Sequence, residues 1–564
     1  MYTGTVLVLG GAGLVGLQVC RHIAREFKPA RIVVASLRAE ESNQAVQQLS
    51  EEHPHTEFVS AWGNLFVPHH LADLGRGELL ASKSNRKALR DALYADFQDA
   101  YHENHLVKLI LEHKPEIIID SVNTATGISY QDVFDGAKRL TEDLEGGAER
   151  GDAEKDLELF LLSQSAPQII RHVRFLYEAT KSVSTRVYIK IGTTGTGGLG
   201  LNIPYTHSED KPSRTLLAKT EVAFGHTGLL FLMARTPDAP IVKEIKPAAM
   251  IGYKAVEYTP VRGRNGKNVQ VFTPQTEELG SMSELTQERD AGEFSAIREL
   301  HTTVVNTGEN GIFTLGEFST ITAMGQMEFV TPEEIARNVV LEIKGVNPGV
   351  DVLSAIDSTV MDPSYRAGLL RRVALEDLKS LEEKKGDHSV ALGQLGPPEL
   401  SKLLFEAHLL KTTFPATTSF VDGVQEDGTP LVPGEMSKAM AAAVQDNDAV
   451  QTAISVGIPI LMPDGKQLIR GPRINIPELK GHTRSAPLNG SNIDKWARKG
   501  WIDLRPTNMA LWLDRFRRMR RARQNVYSQG SAAVDLRSYL GEGIEIGEVV
   551  AWIFNNEMGG YRLK

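Results

Sequence analysis

Apolar residues in the first part of the chain fall into short unbroken runs: Thr5–Leu9, Arg31–Ala35, Thr56–Ala61, Pro115–Asp120 and Val187–Ile191. Runs of this length without alternation predict parallel strands covered on both faces. Between them the apolar residues take helical spacing, as in Leu17, Cys20, Ile23 and Ala24, then Leu106 to His113, then Ile169, Val173, Leu176 and Ala179. Strands alternating with helices predict an α/β, doubly wound parallel sheet. The polar stretch from Pro68 to His105 is longer than a compact α/β unit needs and reads as an insertion near 66–105. A second excursion, 142–156, carries charges on every side.

Further along, Thr331-Pro332-Glu333-Glu334 makes a capping box that starts a helix running to Lys344. Past Gly345 the pattern becomes a large helical, partly β region. Asp362-Pro363 opens a helix whose Leu370, Ala374, Leu378 and Leu381 keep their spacing until Gly386. Helices follow at Pro398–Lys411, Ser437–Val444 and Ala449–Ser455, then a hairpin about Pro463-Asp464-Gly465, and a last helix from Thr507 to near Asn525. The apolar segment Glu548–Phe554 reads as strand-like. The predicted division is 1–345, 346–457 as a helical region, and 458–564 as an α+β region. No internal repeat is visible.

The first strand runs into Gly10-Gly11-Ala12-Gly13-Leu14-Val15-Gly16. Gly11, Gly13 and Gly16 satisfy G-x-G-x-x-G, and Gly10, Gly13 and Gly16 the related G-x-x-G-x-x-G. Strand, glycine turn, helix and second strand within about thirty residues is the context that makes this a dinucleotide-binding fingerprint of the Rossmann type. The glycines permit a tight turn and close backbone approach, and the pyrophosphate sits on the helix N-terminus. Gly10, Gly11, Gly13, Leu14, Val15 and Gly16 are therefore the expected cofactor-binding residues. The second strand ends at Ser36-Leu37-Arg38, without the acid that usually takes the ribose hydroxyls of NAD. Ser36 and Arg38 favour NADP, while the nearby Glu40 and Glu41 keep NAD possible. Asn64 and Leu65 are placed by the pattern at the adenine side, Val122 and Asn123 at the nicotinamide side.

Composition narrows the function. Against 62 basic residues stand 71 acidic ones, a net charge of -9, which argues against a nucleic-acid or anionic-membrane binder. Six arginines between Arg515 and Arg523 interleave with Trp512, Phe516 and Met519 and read as a partly packed helix with a salt-bridged face. Cys20 is the one cysteine, on an apolar helix face, so it reads as packing and not as a nucleophile. His53, His55, His69 and His70 show no recognisable ligand spacing, so no metal is expected. No run of about 18 apolar residues appears and the start shows no leader, so a cytoplasmic protein is expected. Arg262, Arg264 and Lys267 lie in a turn-rich segment and are candidates for gripping a substrate phosphate or carboxylate, a solvated hairpin being the alternative.

The order of segments resembles the extended short-chain dehydrogenase/reductase superfamily. The resemblance rests on Gly10-x-x-Gly13-x-x-Gly16, Gly63-Asn64-Leu65, Pro115-Glu116, the turn Gly192-Thr193-Thr194, Ile203-Pro204-Tyr205 with Glu209-Asp210, Lys246-Pro247 with Gly252, and Phe329 to Ala336. It covers roughly residues 1 to 345 and implies an NADP-dependent oxidoreductase acting on a hydroxyl or carbonyl group of a bulky, anionic small molecule. An epimerase or dehydratase with bound NAD(P), and a non-catalytic NADP-binding regulator or scaffold, are the alternatives. The superfamily's Tyr, four residues before a Lys, moves the proton. Here Lys219 fits the Lys, but Thr215 stands where the Tyr is expected, and a Thr hydroxyl cannot do the same acid–base work. The resemblance implies that Thr193 and Thr194 hold the substrate oxygen, that Lys219 orients the ribose, and that Pro247 lies beside the cofactor. Tyr205, Tyr188 and His207 are the candidates for the proton. It also implies a homodimer.

Overall fold

The computed structural model describes residues 4–128, 133–146, 150–192, 214–247, 250–263, 266–308, 311–323, 329–353, 360–361, 364–395, 397–414, 423–424, 427–444, 447–477, 479, 484–524 and 545–557. They form two compact units. The first comprises Met1–Leu201, Pro212–Gly252 and Phe329–Ala367; the second, Asn202–Lys211, Tyr253–Glu328 and Gly368–Lys564.

In the first unit the predicted runs become β1 (Thr5–Leu9), β2 (Arg31–Ser36), β3 (Glu57–Trp62), β4 (Ile117–Asp120) and β5 (Val187–Ile191), joined by β6 (Ile241–Pro247) and the two-residue strand Val360–Met361. They lie in the order Val360–Met361, β6, β5, β4, β1, β2, β3. Every pairing is parallel. This is a Rossmann-type doubly wound sheet. The strands need no alternation because both faces are covered. Val6 and Val8 join one core with Val19, Ile23 and Ile335, while Leu7 and Leu9 join another with Val107, Leu176 and Tyr188 on the opposite face. Truncating fully buried Leu7 to Ala would cost about 2–5 kcal/mol.

Helix α1 (Leu14–Phe27) buries Val19, Cys20, Ile23 and Ala24. Burial pushes the Cys20 thiol up to about 12, as suits a packing residue. The two polar excursions of this unit pack on one another. Arg86, in the helix Lys83–Tyr94, donates Nε to Glu158 Oε2 at 2.9 Å in the helix Arg150–Leu162, and both side chains are buried. Arg86 Nη1 also donates to the carbonyls of Leu80 and Ala81, so the buried pair is satisfied beyond its Coulomb contact.

The second unit is built from segments far apart in sequence. The strand Gln275–Glu278 pairs with Gln467–Arg470, which pairs with Ile460–Leu461, which in turn pairs in parallel with Ile502–Asp503. His301–Asn306 runs antiparallel to Ala255–Pro260. The compact division therefore does not follow a boundary at 345: within residues 253–328, Gln275–Glu278 and Glu284–Thr286 find their sheet partners later in the chain. The Pro463-Asp464-Gly465 hairpin forms as predicted, with Gly465 at φ +65 and its N–H on the Met462 carbonyl. The segment read as strand-like is instead the helix Ile546–Glu557, in which Val549 to Phe554 are all buried. An apolar run covered on every side carries no period, so strand and helix look alike in it. In the helix Pro506–Gln524, Trp512, Phe516 and Met519 are buried. Arg515 and Arg518 meet Glu557, which gives the arginine-rich face a structural role. No helix among the described residues is long and apolar enough to cross a membrane.

Candidate active site

The glycine turn between β1 and α1 has the conformation that its sequence requires. Gly10 sits at φ +74, where a side chain is strained, and a Cβ there would lie 2.7 Å from Ser121 Oγ. A Cβ on Gly16 would lie 2.1 Å from the Gly10 carbonyl oxygen, so only glycine lets α1 cross the turn this closely. Gly13 caps α1 with extended geometry and no side-chain cap, and it is exposed. The first N–H groups of α1 therefore face outward with the positive end of the helix dipole, an arrangement that suits a phosphate. Leu14 and Val15 are half-buried in its first turn.

At the end of β2, Ser36 Oγ donates to Glu41 Oε2 at 2.9 Å. Arg38 N-caps α2 (Ala39–Glu52), is exposed, and has no ion-pair partner among the described residues. The end of β2 is thus followed by a carboxylate held by Ser36 and by a guanidinium with no ion-pair partner among the described residues. Asn64 Oδ1 accepts from the Phe66 N–H at 3.0 Å, closing a turn, and Leu65 is buried.

The least anticipated feature lies at the carboxyl ends of β4, β5 and β6. The strand register sets Asp120 beside Lys190 and Lys190 beside Glu244, a lateral row of alternating charge on one face of the sheet. Lys190 Nζ lies 2.9 Å from Asp120 Oδ1 and donates to the Val122 carbonyl. Lys246, two residues beyond Glu244 on the same face, lies 2.9 Å from Glu244 Oε1. All four are buried. Tyr188 donates its hydroxyl to Asp120 Oδ2 at 2.8 Å, and burial pushes its pKa well above the usual phenol value. Tyr188 is therefore held as a protonated hydrogen-bond donor and is poorly placed to exchange a proton.

Two histidines close the cluster. His172 of the helix Ser165–Ser182 and His226 of the helix Arg214–Met233 lie edge to face at 5.6 Å. Burial lowers His172 to about 4 and holds His226 well below the usual histidine range, where the nearby Lys190 lowers it further. Lys246 is lowered by burial first, against the pull of Glu244. A small pocket lies here, walled by Val122, Thr124, Lys190, His226, Glu244 and Lys246. Gly192 borders it, and a Cβ on that residue would come 2.2 Å from Glu244 Oε1.

The structure thus brings Val122 to the same pocket as Lys190, Glu244 and His226, with Asp120 paired to Lys190 and His172 packed on His226 behind them, five residues that sequence reading did not single out. The signal of Asp120, Lys190 and Glu244 was present as charges inside otherwise apolar strands, in I-I-I-D, V-Y-I-K-I and I-V-K-E-I-K-P. Such charges are almost never buried unless paired. Asn123 is half-buried just past β4, Pro247 is buried at the end of β6, and Lys219 is half-buried in the helix Arg214–Met233. Thr193, Thr194, Tyr205, His207 and Arg264 lie outside the described residues, as does the side chain of Thr215. Arg262 is exposed and bridges to Asn268 in a turn of the second unit, with Gly266 at φ +75. His69 and His70 each place Nδ1 3.6 Å from Glu103 Oε2, a pairing that spacing alone did not suggest; all three are exposed.

The model of the beta-methylindole-3-pyruvate reductase C-terminal domain family matches residues 271–558. The chain belongs to that family. The match takes in most of residues 346–564, in which sequence patterns name no relative, and overlaps the end of the stretch 1–345 that carries the resemblance. No curated protein matches the chain. Among solved structures it is similar to a short chain dehydrogenase/reductase family protein, at 12% identity over 64% of this chain and 94% of that one, with a TM-score of 0.27. It is also similar to an alcohol dehydrogenase from the archaeon Thermococcus sibiricus complexed with 5-hydroxy-NADP, at 11% identity over 61% of this chain and 91% of that one, TM-score 0.29. A third is a short-chain dehydrogenase from Sphingobium yanoikuyae in complex with NADPH, at 12% identity over 44% and 72%, TM-score 0.23. The Rossmann-type assignment rests on the strand order and the glycine turn themselves.

Proposed function

We propose that this protein is an NADP-dependent oxidoreductase that interconverts the carbonyl group of a bulky, anionic 2-oxo acid and the corresponding hydroxyl. The observation that carries the reading is the glycine turn. Gly10 and Gly16 leave no room for a side chain, and the uncapped start of α1 is exposed for a pyrophosphate. The family's printed name, a reductase of an indole-pyruvate, supports the substrate class.

In this reading Gly11, Gly13, Leu14 and Val15 hold the pyrophosphate, Arg38 and Ser36 the 2′-phosphate, Asn64 and Leu65 the adenine side, Val122, Asn123 and Pro247 the nicotinamide side, and Lys219 the ribose. When bound, the nicotinamide supplies the hydride. Lys190 is held in place by Asp120 and the Val122 carbonyl, and so can polarise whatever oxygen enters the neighbouring pocket. Thr193 and Thr194 remain the proposed hydroxyl donors to the substrate, and a cytoplasmic homodimer the proposed state.

Calorimetric titration with NADPH and NADH tests the cofactor site. NADPH is expected to bind at least about tenfold tighter than NADH. Gly13→Asp should abolish binding, since it sets a carboxylate where the pyrophosphate belongs, yet Asp is a favoured N-cap, so the helix is kept. Consumption of NADPH with phenylpyruvate or indole-3-pyruvate then tests the substrate class. Tight NADPH binding without turnover of any 2-oxo acid would favour the regulator reading, and no binding of either nucleotide would end both.

A further inference from the structure

The pocket at the ends of β4–β6 holds more polar atoms than the protein satisfies. Thr124 Oγ1, His226 Nε2 and Glu244 Oε2 have no hydrogen-bond partner among the described residues, though their residues are only 3%, 3% and 1% exposed. An unsatisfied buried polar group costs about 1–3 kcal/mol, so three around one pocket mark a place meant to be filled. Their chemistry says by what. Glu244 Oε2 as a carboxylate oxygen only accepts, and the ammonium groups of Lys190 and Lys246 only donate. The occupant must do both at one atom, as a hydroxyl does.

We infer that this pocket binds the reacting oxygen of the substrate and that Lys246 is its proton donor. The inference rests on the 2-oxo acid reading. The ketone oxygen accepts an N–H of Lys246, whose Nζ keeps a second N–H on Glu244 Oε1. The carbonyl carbon takes a hydride from the reduced nicotinamide, which is thereby oxidised. The C=O π pair moves to oxygen and forms the new O–H bond as one Lys246 N–H bond breaks. The product hydroxyl donates that hydrogen to Glu244 Oε2, which finds its partner only as the proton arrives, so the pocket favours the later stages of reduction over the ketone. Lys246 is left as a neutral amine, a form that burial already favours, and recovers a proton from solvent. Lys190 stays committed to Asp120 and the Val122 carbonyl throughout. The missing Tyr would then have its work done from the sheet and not from the helix.

The test uses Lys246→Arg, which keeps the cation and its bond to Glu244 but cannot release a proton, with Lys246→Met/Glu244→Gln as a charge-neutral second variant if the first folds poorly. The full chain is labelled at lysine 13Cε, and the Lys246 resonance is assigned by its absence in the variant. It should titrate below the ordinary lysine range and shift when phenylpyruvate is added to the NADP+-saturated or the free protein. Turnover of NADPH in either variant should fall at least about 100-fold, with NADPH affinity changed less than about threefold. Variant turnover within about threefold of the parent, or a Lys246 signal indifferent to phenylpyruvate because the pocket holds only a structural water, would overturn the inference and leave the cofactor reading standing. If the parent binds no nicotinamide nucleotide but phenylpyruvate still moves the signal, the oxygen pocket stands and the reductase reading falls.

Discussion

In the second unit, buried Arg470 uses all five of its N–H donors: on Glu277 Oε2 and on the carbonyls of Gly471, Thr286, Gln287 and Pro472. Buried Glu406 there accepts from Lys402, the Asp503 N–H and the Trp512 indole N–H. In the first unit the row Asp120–Lys190–Glu244–Lys246 has comparable burial and equally close pairing, but its Glu244 Oε2 has no partner among the described residues and lies beside a pocket. Completion separates the two. A network that satisfies itself fixes a fold, whereas one that leaves donors and acceptors facing a pocket is built for a visitor.

The severest way to break this comparison is Arg470→Met, which leaves Glu277 with only the longer 3.4 Å pairing to Arg289 and the carbonyls around Arg470 without their donor. It should destabilise the protein by about 3–5 kcal/mol in chemical denaturation; a loss below about 1 kcal/mol would mean that the closed network is not structural. The same substitution made in both networks sharpens the point. Glu406→Gln puts an NH2 against donors that the carboxylate now accepts, and should cost about 2–4 kcal/mol. Glu244→Gln can turn its NH2 to the side where Oε2 has no partner, and should cost about 1 kcal/mol while lowering turnover. Equal losses would erase the distinction.

Acid should act on both units in one pH window. Burial lowers His172 in the first and His408 in the second from 6.5 to about 4. Below pH 6.5 the unfolded chain takes up protons that the folded one refuses, so stability is full above that value and is lost as pH falls toward 4. Each histidine contributes up to about 1.4 kcal/mol per pH unit. Denaturation midpoints between pH 7 and 4.5 read the slope, and His172→Gln should flatten it by one histidine's share. The smallest effect concerns cofactor choice. Arg38→Ala should narrow the NADPH over NADH preference by about tenfold, and an unchanged ratio in calorimetry would leave the Ser36–Glu41 pair as the reader of the ribose.

Much of the first unit was legible because its signals are local. Gly10 and Gly16 declare a turn within seven residues, and the runs at Thr5 and Arg31 declare covered strands. The helix Tyr365–Lys385 ends, as read, before Gly386 at φ +61. The helix Ile546–Glu557 was misread because a segment buried all round has no period to betray it. The candidate site was half legible. The glycine turn was visible, but the pocket was not, because the register of three parallel strands, rather than spacing along the chain, unites Asp120, Lys190 and Glu244.

By itself the sequence determined where the chain turns and which runs are covered, since backbone sterics and hydrophobic periodicity act within a few residues. Tertiary structure alone decided that residues 253–328 belong to the second unit, where Glu277 meets Arg470 at a separation of 193 residues. It alone decided, too, which buried charges complete one another and which are left waiting at a pocket. Both depend on strand order and register, and these are set by how whole faces pack and not by any neighbouring residue.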